Sequence, residues 1–240
     1  MRKNIIFLFM FVLLCILTAC GSSGVDNSST EKKADNSATV KKDKKIEEKD
    51  KTSDNTNANK KEDTELVTDG PLLEPGQYKT DEQYGSTITL LEIATPKTDI
   101  SLGDLKMTIQ DVKIFKHENI SDTEKNDFSQ SKIPITDPFY TIQLTYDLEN
   151  NSDTALTTNG FEYIITDQQQ QIEVSTEYIG GEPYYNVQSG AQLSPEYVTC
   201  ILKPENVENI NKVTLKTSEV YNSDTYDTTA ESKTIEINLK

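Results

Sequence analysis

The chain has no tryptophan and a single histidine, His117. Any His-dependent catalysis must therefore rest on that one residue. Its three cysteines are Cys15, Cys20 and Cys200, and no Cys or His spacing matches a zinc site. No Gly-rich phosphate loop follows a strand-like segment. Basic residues are scarce beside acids, 24 against 40, which gives a net charge of −16. A surface this acidic is repelled by nucleic acid and by anionic polymers. No nucleic-acid partner is expected. Pronounced apolar character is confined to one N-terminal run.

That run is Ile5 to Leu17, preceded by Arg2 and Lys3 and followed by Leu17-Thr18-Ala19-Cys20 and a polar Gly-Ser-Ser. Charge, apolar run and small residues in that order make a secretory signal. A membrane-spanning helix needs about 20 apolar residues, so the run is short for a span. A plain secretory signal would leave Cys20 incidental, which makes Cys20 the discriminating residue. Leu-Thr-Ala-Cys resembles the bacterial lipobox at all four positions. The resemblance implies a signal peptide at 1–19, cleavage before Cys20, and a diacylglyceryl group on the Cys20 sulfur. One acyl chain anchors only marginally, whereas two hold a protein stably. The expected partner is thus the lipid bilayer, through lipidated Cys20, at the extracellular face of the cell membrane. Cys15 would leave with the signal.

Residues 20–70 read as a disordered polar tether. Lys, Asp, Glu, Asn, Ser and Thr dominate, and no aromatic occurs. Such a segment cannot bury enough apolar surface to offset its ordering entropy. Glu47 and Lys51 have favourable helical spacing, but a Lys41–Lys51 helix would lack an apolar face. Its Lys pairs are interleaved with acids, which argues against a nucleic-acid patch.

Composition changes at about Pro71. All 11 tyrosines lie from Tyr78 onward, and residues 71–240 suffice for one domain with a core. The net charge is concentrated there, which suits solubility and stand-off from an anionic surface, or a cation site. Tyr140, Ile142, Leu144, Tyr146 and Leu148 alternate with polar residues, which predicts a half-buried strand over Phe139–Glu149. Asn150-Asn151-Ser152-Asp153 supplies a turn. Further strands are predicted over 87–93, 161–166, 171–176, 197–202, 212–216 and 233–239. In Leu105 to Phe115 the apolar parity switches near Gln110-Asp111, the signature of a β-bulge. One short helix is expected over Ser121–Ser131, with Ser121 and Glu124 as a capping box. Short strands separated by turn signals make an all-β antiparallel sandwich.

Lipobox, polar tether and a strand reading Phe-Tyr-Thr-Ile-Gln-Leu-Thr-Tyr-Asp-Leu-Glu-Asn-Asn-Ser-Asp before Phe161 resemble the immunoglobulin-like, telokin-like surface lipoproteins of Gram-positive bacteria. The resemblance covers about Ser86 to Lys240. It implies an immunoglobulin-like sandwich and carries over no catalytic residues. The absence of Trp, and Cys200 without an intradomain partner, depart from antibody-type domains.

Candidate chemistry is sparse. His117 lies between Lys116 and Glu118, entering a polar loop, with no motif-bearing Ser or Cys beside it. Cys200 shares strand parity with Val198 and Leu202, as a buried small hydrophobe or, less simply, a reactive thiol. Asp147, Glu149, Asn151 and Asp153 alternate like calcium ligands but lack the Gly and distal Glu of such loops. No metal or cofactor is expected. The stretch Tyr178 to Leu193 reads as a loop, with Tyr178, Tyr184 and Tyr185 as a candidate binding surface. Packing of one or both of Tyr184 and Tyr185 over the sandwich end is the alternative. The expected function is non-catalytic: binding an unknown protein or envelope ligand, or a structural role. A ligand- or cation-binding sensory module is the alternative.

Overall fold

Most of the period-two sequence becomes strand. The structure, a computed structural model, describes residues 65–205 and 207–240. The strands are β1 (Glu65–Leu66), β2 (Gln77–Thr80), β3 (Thr87–Ala94), β4 (Thr98–Leu102), β5 (Leu105–Glu118), β6 (Phe139–Asn150), β7 (Leu156–Thr158) and β8 (Phe161–Thr166). They continue as β9 (Gln171–Glu173), β10 (Tyr178–Gly181), β11 (Tyr185–Val187), β12 (Gln192–Leu202), β13 (Lys212–Thr217), β14 (Val220–Asn222), β15 (Thr228–Ala230) and β16 (Thr234–Asn238). Two short helices, α1 (Asp122–Asp127) and α2 (Val174–Glu177), interrupt them.

The result is an all-β sandwich. One layer is an eight-stranded sheet in the order β1-β2-β3-β5-β6-β12-β10, with β4 paired to β5. Facing it are two four-stranded sheets, β11-β7-β14-β15 and β16-β13-β8-β9. Every pairing is antiparallel except β1 with β2. One core draws on all three sheets. Ile109, Val112, Leu144 and Val198 from the large sheet meet Leu156, Phe161, Leu215 and Ile237 from the small ones.

β6 is the spine of that core. Ile142, Leu144, Tyr146 and Leu148 are fully buried, while Gln143, Thr145, Asp147 and Glu149 on the opposite face are not. The bulge in β5 falls where parity switches: Ile109 pairs with Tyr146, then Asp111 with Thr145. The extra residue returns Val112 and Ile114 to the core. It therefore puts Lys113, Phe115 and His117 together on the outer face.

Four expectations need correction. His117 lies within β5, not in a loop, because β5 runs on to Glu118 beside Phe139 of β6. The 178–193 stretch is not one loop, since β10 pairs with β12 and β11 pairs with β7. The strand from Gln171 ends at Glu173, where the chain turns into α2. Ordered pairing starts before Pro71, because β1 lies alongside β2. Within the expected helical stretch, α1 is capped as predicted on one side only. The Glu124 amide donates to Ser121 Oγ at 3.1 Å, but the Glu124 carboxylate turns to Ser86 Oγ.

Candidate functional site

Of the tyrosines predicted as one surface, Tyr178 and Tyr185 lie in different sheets and Tyr184 lies in none. Tyr178 is exposed on β10, at the edge of the large sheet. Tyr185 opens β11 in a small sheet and is only 4% exposed. Its hydroxyl donates to the Glu182 carbonyl and lies 2.9 Å from that of Tyr146. The two rings meet edge to face with centroids 6.0 Å apart. Burial pushes the Tyr185 phenol up to about 12. Tyr185 is thus a packing residue. Tyr184 beside it is 55% exposed, held only by its amide donating to Glu182 Oε1. Alternation along an extended segment sends neighbouring side chains to opposite faces.

The other sequence candidates resolve by burial. Cys200 is fully buried on β12, and desolvation raises its thiol pKa to about 12, so it is inert at neutral pH. Asp147 spends its carboxylate on Gln110 and Ser194, both within hydrogen-bond distance. Among the described residues no group of three or more His, Cys, Asp or Glu side chains could hold a metal ion. Asn150 organises the turn after β6. Its buried amide donates to the carbonyls of Thr154, Val187 and Gln188, and its oxygen accepts from Ser152. Cys20, with the rest of the expected signal and most of the expected tether, lies outside the described residues.

The outer face of the large sheet holds a feature the sequence did not announce. At one end, α1 and its flanking loops cover Phe139 and Ile201 with Ile120 and Ile135, a second apolar cluster. Beside it lies a groove of about 280 Å³. Its floor is formed by Lys113 and His117 of β5, Thr141 and Gln143 of β6, and Thr199 of β12. Leu72 and Lys79 border it on the β2 side, and Ile179 and Gly180 of β10 on the other.

Four of the five floor residues are held by hydrogen bonds to one another. His117 stacks on Phe139 with centroids 4.2 Å apart, and its Nε2 lies 2.9 Å from Thr141 Oγ1. Desolvation lowers its pKa to about 4, so it is neutral at pH 7. Gln143 Nε2 donates to Thr199 Oγ1 at 3.1 Å. The Lys113 side chain is only 7% exposed, and its Nζ stands 3.6 Å from Asp111 Oδ2, beyond hydrogen-bond range. Asp111 Oδ1 is buried without a hydrogen-bond partner. The β10 wall depends on glycine. Gly181 sits at φ +83°, where a Cβ would fall 1.9 Å from the Tyr197 carbonyl oxygen. Gly180-Gly181 therefore serves close backbone approach as well as turning. Tyr197, exposed on β12, approaches Gly180 and borders the groove.

The arrangement can bind; its fittings for acid–base catalysis are poor. His117 is too weak a base at neutral pH, and the hydroxyl it meets belongs to Thr141, which is fully buried. The sequence signal that could have found the groove was the bulge. Once parity shifts at Gln110-Asp111, Lys113, Phe115 and His117 must share the non-core face.

No family model matches the chain, and no curated protein does. Among solved structures, the chain is similar to a functionally unknown protein from Listeria monocytogenes EGD-e, known from its crystal structure. The identity is 12% and the TM-score 0.48, covering 65% of this chain and 90% of that one.

Proposed function

We propose that the protein is a membrane-anchored extracellular lipoprotein that presents a non-catalytic β-sandwich for binding at the cell envelope. The anchor reading rests on Leu17-Thr18-Ala19-Cys20 after a short apolar run. The binding reading rests on one observation, the groove on the outer face of the large sheet. Unlike the opposite face, this one is not fully covered by a second layer. The groove also favours the ligand half of the sensory-module alternative. Membership of the immunoglobulin-like, telokin-like lipoproteins of Gram-positive bacteria belongs to the same proposal.

Replacing Cys20 tests the anchor. In a Gram-positive host, Cys20→Ala should shift the protein from the membrane fraction to the medium or leave the precursor uncleaved. A variant that matures and fractionates like the parent defeats the anchor reading. Capture of envelope components by the full chain tests the binding reading.

A further inference from the structure

The composition of the groove is at odds with that of the domain around it. Residues 71–240 hold 12 Lys against 28 Asp and Glu. Yet the groove is lined by two lysines, Lys79 and Lys113, and by no carboxylate. A wall drawn at random from this domain would carry more acids than lysines.

Lys113 is the unusual member. Burying an ammonium is costly unless hydrogen bonds and an opposite charge compensate. Its nearest carboxylate, that of Asp111, is offset at 3.6 Å. No protein hydrogen bond to its three donors is formed among the described residues. The sheet thus holds a lysine whose side chain is largely buried and whose ammonium, paired at 3.6 Å with Asp111, still has donors to spare at the floor of a cavity. Around it stand apolar and aromatic side chains: Leu72, Ile88, Phe115, Ile179 and Tyr197. Gln143 and Thr199 add a fixed amide and hydroxyl.

We propose that this groove binds a small organic anion, a carboxylate joined to a compact apolar or aromatic body, with Lys113 as the charge anchor. The proposal rests on the binding reading given above and names its ligand class. Size and charge both set the limit. A volume of 280 Å³ falls just below that of ordinary ligand sites, which begin at about 300 Å³, so only a compact ligand fits. At physiological salt, charges beyond about 8 Å are largely screened, so a small anion feels Lys113 and Lys79 together with Asp111 beside Lys113, and little of the remaining acidic surface. A polyanion would extend past that range and meet the acidic surface. The apolar walls contribute by hydrophobic burial, and the carboxylate supplies the hydrogen-bond acceptors that the ammonium lacks.

The test compares an acid with its neutral isostere. The purified full chain is titrated with 4-phenylbutyrate and with 4-phenylbutanamide, following heat and backbone amide shifts at Lys113 and Thr199. Expected is saturable binding of the acid, at least tenfold tighter than the amide, with shifts centred on β5 and β12. Lys113→Gln should abolish that preference. Should that variant fail to fold, Lys79→Gln serves instead and should weaken the acid alone. Equal binding of acid and amide, or no saturable binding of the acid, overturns the proposal. Envelope capture that persists when this experiment fails would leave the binding reading standing and remove only the anion groove. Loss of both would remove the binding reading as well.

Discussion

At the scale of single residues, burial separates neighbours that look alike in sequence. Tyr184 and Tyr185 are the clearest pair. Tyr185→Ser removes a buried ring and leaves the Tyr146 hydroxyl without its partner, so it should cost about 3–5 kcal/mol. Tyr184→Ser removes an exposed ring and should change stability by less than about 0.5 kcal/mol. Thermal melts of the two single variants check this, and similar losses would contradict the packing described. His117 makes a second prediction through pH. Its folded pKa, about 4, lies below the ordinary 6.5, so protons bind the unfolded chain more tightly. The contribution of neutral His117 is complete above pH 6.5 and is lost as pH falls toward 4. Across that window the loss approaches about 3 kcal/mol. Glu124 and Glu196, whose pKa values burial raises, act in the opposite sense. The comparison must therefore be with His117→Gln. Urea unfolding at pH 7 and pH 5 should show a smaller acid loss in the variant; parallel losses would mean that His117 titrates normally.

At the scale of elements, the strands with two-sided alternation formed as their sequences predict, and short edge strands did not announce themselves. β6 has an apolar residue at every second position, so one face had to be core. β10 contains Tyr-Ile-Gly-Gly and is a strand only because Gly181 lets it close on Tyr197. Gly181→Ala meets both a positive φ and a backbone clash, so something in β10 must shift. The expected cost is about 1–3 kcal/mol, the usual range for strained backbone sites. Hydrogen exchange should show it as lost protection at the amides of β10 and its partner β12 residues, with the β5–β6 amides unchanged. Uniform loss throughout the sheet would mean that β10 is not an independent edge. Because β10 walls the groove, the same variant should also weaken any ligand held there.

At the scale of the whole molecule, charge is the dominant property. The excess of acids in residues 71–240 is spread over one compact unit, and like charges repel more in the folded state than in the expanded one. Several ion pairs relieve this locally, among them Lys216 with Glu162 and Lys212 with Glu236. Exposed pairs of this kind contribute little, typically about 0–1 kcal/mol each. Raising sodium chloride from 50 to 500 mM, on the order of a threefold shorter screening length, should therefore raise the melting temperature. A fall on adding salt would mean that attractive pairs outweigh the net repulsion. The two layers share one core, so melting should be a single transition.

The sequence alone determined the fold class and the facing of the long strands. Both follow from side-chain alternation, which is local and repeats every second residue. Even the β5 bulge was legible, because a parity switch within one strand has few other causes. Tertiary structure decided the rest. Whether Tyr184 or Tyr185 turned inward depended on Tyr146, which is distant in sequence. Whether His117 ended in a loop or a strand depended on pairing with Phe139. The groove itself joins β2, β3, β5, β6, β10, β12 and the segment before β2, seven pieces of chain whose outer residues are individually ordinary. A lysine on the polar face of a strand reads as solvated until neighbouring strands bury it. Burial and charge neighbourhood are sums over all nearby chain, and only the folded sheet brings those neighbours together.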